Sequence, residues 1–140
     1  MSSNSCPDIF LVSSCLAGLC TRYDEQIKPD IACISRIKDA VWIPVCPEQL
    51  GGLPTPREAA DISGGDGNRV LAGQAHVITR SGIDVTSQFI KGAEQVLKIA
   101  QSQKITGVLL KSESPSCAVT GTVGVTAALL LRHGFDVREY

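Results

Sequence analysis

Short, almost continuous apolar runs alternate along this chain with segments in which apolar residues recur every three or four positions. Continuous runs are typical of strands in a parallel sheet covered on both faces, and the wider spacing is typical of amphipathic helices. Strands are predicted at residues 9–14, 41–45, 107–112 and 135–139. Helices are predicted at residues 29–37, 86–103 and 123–131. This alternation predicts an α/β fold: a compact domain over residues 1–140, with a mostly parallel, Rossmann-like sheet covered by helices.

Details of the helices follow from the same pattern. In the first helix, Ile31, Ile34 and Ile37 are expected on one side, with Cys33 between them as a packing residue. Thr86 or Ser87 is expected to cap the second helix. Its predicted buried stripe consists of Val85, Phe89, Ala93, Val96, Leu97 and Ala100.

Two segments interrupt this regular pattern. Residues 47–67 are rich in Pro, Gly, Asp and Ser, which predicts a long loop with one helical turn near residues 57–60. Residues 69–72 and 75–79 resemble the two strands of a small hairpin around Gly73 and Gln74. Long loops in compact domains are usually functional, so the first segment is a candidate site.

The composition of the chain limits the classes of function that it can have. Of the 140 residues, 44% are hydrophobic and 19% are charged, and the net charge is −1. These values exclude a disordered chain and give no strong nucleic-acid signal, so a small-molecule substrate is expected. Residues 1–7 are expected to be a flexible tail. Without a basic start or an apolar run of membrane-spanning length, the chain is expected to be cytoplasmic, with no membrane partner, as a monomer or weak homodimer.

Six cysteines in a reducing compartment favour reactive or metal-binding use over disulfides. Cys15, Cys46 and Cys117 each follow the end of a predicted parallel strand. If those strands are neighbours, the three thiols emerge at one edge of the sheet, where parallel sheets place their sites. Thiolates are soft ligands that suit zinc or iron–sulfur clusters, and three ligands would leave a coordination position open. From their spacing alone, it is equally possible that the three cysteines fall near strand ends by chance and form no metal site.

Further polar residues lie near these strand ends. Glu48 follows Cys46 closely, and a carboxyl shielded from water beside a metal centre could pass protons. The alternative, which is the commoner fate of a lone Glu, is a solvated loop carboxylate or a helix cap. Four residues could orient a polar heterocycle or an anion, although each alone is more often a surface charge: Arg22, Lys28, Arg57 and, through pairing with one of them, Asp24. The hydroxyls of Ser112, Ser114 and Ser116 are candidate polar contacts or plain loop residues.

Four segments resemble the thiouracil desulfidase family in the same order along the chain: residues 12–24, 44–57, 110–117 and 124–130. The resemblance implies an α/β domain that removes sulfur from thiolated uracil with a [4Fe–4S] cluster. Cys15, Cys46 and Cys117 match the cluster ligands, and the fourth iron would be open to the substrate sulfur. Glu48 matches the acid/base carboxylate, and Ser114 matches the serine near the substrate.

The resemblance also implies a mechanism and shows two departures. Water would add to the thiocarbonyl carbon, and hydrosulfide would leave, with Glu48 accepting and donating the protons. Glu25 and Ala118 occupy positions where glycine is common in the family, and both are loop positions where glycine permits a special backbone angle. A cluster of this kind can be lost during aerobic handling.

Two other functions remain open at this stage. A protein with the same cluster could carry sulfur to or from a partner, as in tRNA thiolation or its reversal. A zinc-stabilised binding domain could instead use the three cysteines and a fourth ligand such as Cys20. Free sulfide released from a small base, and the identity of the bound metal, separate these hypotheses.

Overall fold

A computed structural model describes residues 6–140. Its strands are β1 (Ile9–Ser13), β2 (Val41–Val45), β3 (Ala60–Ser63), β4 (His76–Thr79), β5 (Gly107–Leu110) and β6 (Val137–Glu139). Its helices are α1 (Ile31–Ile37), α2 (Pro47–Leu50), α3 (Gly67–Leu71), α4 (Thr86–Gln101) and α5 (Val125–Arg132), and a short 3₁₀ turn spans Ser14–Ala17. In this part of the chain, no helix combines the length and apolar character needed to cross a membrane.

The central sheet has four parallel strands in the order β2-β1-β5-β6. β1 therefore lies between β2 and β5, with Ser13 opposite Val45 and Val12 opposite Leu109. The three strands run in one direction, so their carboxyl ends share one edge of the sheet. This arrangement confirms the predicted α/β fold class with a mostly parallel sheet.

Helices cover both faces of the sheet. Leu11 and Val108 point to one face and pack in a cluster with Val96 of α4 and Leu130 of α5. Neighbouring positions of the same strands point to the opposite face because side chains alternate along a strand. There, residues of β1 and β5 pack on α1 and the 3₁₀ turn: Phe10, Val12, Leu16, Cys33, Ile37 and Leu109.

A second layer lies on the outer side of α4. β3 and β4 pair antiparallel, from Ala60 opposite Thr79 to Ser63 opposite His76. Val77 of β4, Val70 of α3 and Phe89 of α4 are fully buried together in a third apolar cluster. The small hairpin is therefore attached to the domain through α4.

The hairpin partner predicted from the sequence is wrong. Residues 69–72 belong largely to α3, whose N-terminus is capped by Asp66 Oδ1 accepting from the Arg69 amide at 3.1 Å. The strand that pairs with β4 is β3, where the sequence predicted loop and a helical turn. The helical turn of this long segment lies instead at α2, directly after Cys46.

Two helix starts also differ from expectation. Asp30 caps α1 by accepting from the Cys33 amide at 2.9 Å, so Pro29 precedes the helix. The buried side of α1 is Cys33 and Ile37, which confirms Cys33 as a packing residue, while Ile31 and Ile34 are exposed. These two isoleucines contradict the predicted stripe because only one flank of this short helix meets the sheet.

The buried stripe of α4 is confirmed, but its predicted cap is wrong. Among the stripe residues, all but the half-buried Leu97 are buried. Thr86 Oγ1 accepts from the Val77 amide at 2.9 Å, so this hydroxyl links the helix to β4. Asp84 Oδ1 accepts from the Thr86 amide instead. Of the predicted flexible tail, residues 1–5 lie outside the described residues, and Cys6 and Pro7 are exposed.

Candidate active site

The three predicted cysteines open on one cavity at the carboxyl ends of β1, β2 and β5. The cavity measures about 250 Å³, and Cys15, Cys46 and Cys117 all line it. The expected convergence of the three thiols follows from the strand order, because β1 lies between the other two strands. The remaining lining residues with polar side chains are Ser13, Ser14, Thr21, Arg22, Tyr23, Glu48, Arg57, Lys111, Ser112, Glu113, Ser114 and Ser116.

The first two cysteines lie in tight turns directly after their strands. Cys15 is in the 3₁₀ turn after β1, which ends at Gly18 in a left-handed conformation with φ of 90°. Cys46 precedes α2, and Pro47 occupies the first turn of that helix, where its missing N–H costs no hydrogen bond. Glu48 therefore lies in the first turn of α2, and it is close to Cys46 because Cys46 is the N-cap residue of this helix.

Helix α2 is held in place by a close approach to α4. A Cβ atom on Gly92 would overlap the carbonyl oxygen of Pro47, and one on Gly51 would overlap the carbonyl oxygen of Gln88. Two glycines therefore let the backbones of these helices touch. Because α2 carries Glu48 and follows Cys46, this contact sets the position of both side chains.

Cys117 lies in a loop that is fixed at both ends. Ser114 Oγ accepts from the backbone amides of Ser116 and Cys117 at 3.2 and 3.1 Å. The first amides of α5 donate to the carbonyls of Pro115 and Ser116, with Val125 and Thr126 as donors at 2.9 Å each. The thiol is consequently 4% exposed and rigidly held.

Burial raises the pKa of each cavity thiol. The pKa of Cys117 is raised to about 11, chiefly by burial, although hydrogen bonds from Ser116 and Ser13 act in the opposite direction. The pKa of Cys15 and that of Cys46 are also raised, again mainly by burial. Lys111 and Arg22 favour the Cys15 thiolate, and Arg57 favours the Cys46 thiolate. Metal binding here must release protons, which makes it pH-dependent.

The donor set suits an iron–sulfur centre. Within residues 6–140, no three His, Cys, Asp or Glu side chains are close enough together to share a single metal ion. Three thiols around a cavity of about 250 Å³ can instead ligate a centre larger than one ion. Cys20, the fourth ligand considered for zinc, is exposed, its Sγ donates to the Glu25 carbonyl at 3.3 Å, and it does not line the cavity.

Glu48 is held at both carboxylate oxygens. Arg57 Nε donates to Oε1 at 2.9 Å, and Ser116 Oγ donates to Oε2 at 3.1 Å. The Glu48 side chain is only 14% exposed. The two donors hold the carboxyl group in one position at the cavity, where a proton-transferring side chain would be needed. Glu48 is not the solvated loop carboxylate that the sequence left open.

Arg57 lines the cavity, but its guanidinium is occupied by the protein. An arginine has five N–H donors, and Arg57 has five protein acceptors within reach: Glu48 Oε1, the Pro54 and Thr21 carbonyls, Thr55 Oγ1 and Cys46 Sγ. Its side chain is 7% exposed. This arrangement suits positioning of Glu48 and Cys46. A direct role in substrate binding stays a prediction, and the geometry gives it little support.

Arg22 and Asp24 form the pair that the sequence allowed. Arg22 Nε donates to Asp24 Oδ1 at 3.2 Å, and this hydrogen bond is the main reason that the pKa of Asp24 is held below its ordinary value. Arg22 lines the cavity, whereas Asp24 lies in an adjoining shallow hollow. Lys28 is exposed and lines neither, so the structure does not bring it to the site.

Several lining residues were missed by the sequence analysis. Lys111 follows β5 directly, and its Nζ lies 3.2 Å from Ser112 Oγ. The predicted strand ran to residue 112 and so included Lys111, whereas the observed strand ends at Leu110 and leaves Lys111 at the sheet edge where parallel sheets place their sites. Ser13 donates to Cys117 Sγ at 3.4 Å across 104 residues of sequence, and no local pattern could reveal that contact.

The two departures from the family pattern behave differently. Glu25 has a φ of 62°, a left-handed conformation that glycine adopts without cost, so the expected special angle is present there. Among the described residues, the other non-glycine residue with positive φ is Glu113, at 57°, and Ala118 is not one of them. Ala118 therefore occupies an ordinary backbone conformation beside Cys117.

Comparisons with known proteins identify the family of this chain. The model of the 2-thiouracil desulfurase family matches residues 10–139. The uncharacterized protein YbbK of Bacillus subtilis (strain 168) is 39% identical, and the match covers 92% of this chain and 93% of that protein. A solved structure, that of the [4Fe-4S]-dependent thiouracil desulfidase TudS, is 36% identical with a TM-score of 0.77, and the match covers 94% of this chain and 90% of that one. The family resemblance of the motifs is thus confirmed, and this chain belongs to the 2-thiouracil desulfurase family.

Proposed function

We propose that this chain is a [4Fe–4S]-dependent desulfidase that converts thiouracil or a related thiolated pyrimidine to the oxygen analogue. Water supplies the oxygen, the ring sulfur leaves as hydrogen sulfide, and no electrons are exchanged. One observation carries the proposal: three cysteines from adjacent strand ends and the carboxylate of Glu48 share a single cavity. Family membership and the likeness to TudS support the same activity.

Cys15, Cys46 and Cys117 would hold the cluster, which would supply a Lewis acid for a thiocarbonyl sulfur. Arg57 and Ser116 hold the Glu48 carboxyl at the cavity, where it would accept a proton from water attacking the ring carbon. The same carboxyl can then return that proton to the departing sulfur. The half-buried hydroxyl of Ser112 lines the cavity as a candidate partner for the polar edge of the ring. Ser114 also lines the cavity, but its hydroxyl is engaged by Ser116 and by two backbone amides.

Positive charge in the cavity favours an anionic leaving group. Arg22 and Lys111 both line the cavity beside Cys15 and stabilise negative charge there. Hydrosulfide carries such a charge as it leaves. We assign Arg22 and Lys111 this electrostatic role, while Asp24 fixes Arg22 by their ion pair.

The test is release of free sulfide from thiouracil by the anaerobically purified protein, with no partner protein present. We expect sulfide and uracil in equal amounts, with an activity that falls roughly 10²- to 10⁴-fold in Glu48→Ala at unchanged iron content. Full activity of that variant would contradict the proton-handling role. Sulfide release only in the presence of a partner would favour the sulfur-carrier hypothesis. The cytoplasmic location remains a prediction.

A further inference from the structure

We propose that Ser116 is a positioning residue for Glu48, whose carboxylate it holds by a hydrogen bond. This inference rests on the proposed function of the cavity. Ser116 is 2% exposed, and its hydroxyl lies within hydrogen-bonding distance of Glu48 Oε2, at 3.1 Å. Sixty-eight residues separate the two along the chain, so the contact joins the loop after β5 to helix α2.

The direction of each hydrogen bond follows from counting protons. Ser116 Oγ donates to Glu48 Oε2, so its single hydroxyl proton points to Glu48. The Ser114 and Ser116 oxygens are 3.0 Å apart. Because Ser116 has no second proton, Ser114 donates to it. Ser114 Oγ in turn accepts from two backbone amides, which leaves its proton free for this purpose.

The resulting chain runs from the Ser116 and Cys117 amides through Ser114 and Ser116 to Glu48. Ser116 Oγ also lies 3.5 Å from Cys117 Sγ, a longer contact than the 3.1 Å to Glu48 Oε2. The sulfur has a second donor in Ser13, whose oxygen accepts from the Lys111 amide at 3.0 Å and whose proton points to Cys117 Sγ at 3.4 Å. Because Ser13 also donates to the sulfur, the shorter contact of Ser116 is free to hold the carboxylate.

Two opposed hydrogen bonds fix the carboxylate plane. Arg57 holds Oε1 and Ser116 holds Oε2. With Ser116 replaced by alanine, Oε2 would lose its donor and the carboxylate could rotate about its last bond. A base must lie within hydrogen-bond reach of the proton that it takes, so this rotation would slow the reaction without changing which groups contact the substrate.

The experiment is a double-mutant cycle on the full-length protein, purified without oxygen, with Ser116→Ala, Glu48→Ala and the combination. We expect Ser116→Ala to lower kcat roughly 10- to 100-fold with KM and iron content unchanged. In the Glu48→Ala background it should lower kcat no further. Thr126→Val is the matched control, since Thr126 Oγ1 is a buried hydroxyl without a partner among the described residues; it should leave kcat unchanged.

Urea unfolding of the same four proteins gives a readout that is independent of activity. We expect the shifts in midpoint to be strongly non-additive, because each variant removes the same hydrogen bond. Additive shifts would overturn the Ser116–Glu48 coupling, as would a Ser116→Ala variant with wild-type kcat. If the wild-type protein released no sulfide, the proposed function would fail, and the unfolding cycle would still decide the coupling.

Discussion

Arg57 Nε donates to Glu48 Oε1 at 2.9 Å, and both side chains are largely buried at the edge of the cavity. The same guanidinium also contacts the Thr21 carbonyl at 3.0 Å and Cys46 Sγ at 3.8 Å. One side chain thus connects the carboxylate, a candidate cluster ligand and the loop after the 3₁₀ turn. The planar fork of an arginine can satisfy such a set of acceptors, whereas a lysine ammonium cannot.

We therefore expect Arg57→Lys to lower kcat roughly 10- to 100-fold although the positive charge is kept. The measurement is the rate of sulfide release against thiouracil concentration, with iron content determined on the same samples. Arg80→Lys is the control, because Arg80 is exposed and lies outside the cavity. Unchanged kcat in Arg57→Lys would mean that charge alone suffices at this position. A rise in KM at constant kcat would instead favour the substrate-binding role predicted from the sequence.

Replacement of Gly92 by alanine should disturb the site from a distance. The new methyl group would overlap the Pro47 carbonyl and push α2 away from α4. We expect a loss of about 2 kcal/mol in the free energy of unfolding, although alanine is the better helix former. Urea unfolding measures this loss, and iron content should fall too because Cys46 moves with α2. Lys91 is an exposed neighbour of Gly92, and Lys91→Ala should leave the free energy of unfolding and the iron content unchanged. If Gly92→Ala behaved in the same way, the close contact between Gly92 and the Pro47 carbonyl would not stabilise the protein.

The buried thiol of Cys33 should make the protein sensitive to alkali. Burial raises its pKa from 9.0 to about 11 in the folded state. Because the folded state holds the proton more tightly, this contribution to stability is present below pH 9 and is lost as the pH rises through about 11. Between these values the free energy of unfolding should fall roughly 2 kcal/mol more in the wild type than in Cys33→Ala. Parallel stability curves of the two proteins from pH 8 to 11 would contradict this assignment.

The strands of the central sheet, and the edge at which the three cysteines lie, could be predicted from the sequence because apolar content and chain order determine them. β2 was predicted with its observed bounds. The three cysteines line one cavity, as expected, because β1 lies between β2 and β5. Arg69 to Ala72 was misread as a strand because four residues cannot distinguish a helical turn from a strand by periodicity. The Asp66 cap was the local signal that could have corrected it.

The hydrogen bonds between side chains of the site could not be predicted. The Ser116–Glu48 bond spans 68 residues, and the Ser13–Cys117 bond spans 104. Such contacts depend on side-chain placement across neighbouring strand ends, which no short-range pattern records. The sequence could name Arg57 and Glu48 as candidates, but only the structure showed that the first is occupied in holding the second.

The most direct test of the central claim is iron and acid-labile sulfide per chain, with a visible absorbance spectrum, on protein purified without oxygen. We predict about four iron and four sulfide ions per chain and a brown absorbance. Cys46→Ser should lose the iron, the sulfide and the absorbance. Cys20→Ser should keep them, because that thiol is exposed and outside the cavity. Zinc without iron or sulfide, or a full cluster in Cys46→Ser, would contradict a centre held by Cys15, Cys46 and Cys117.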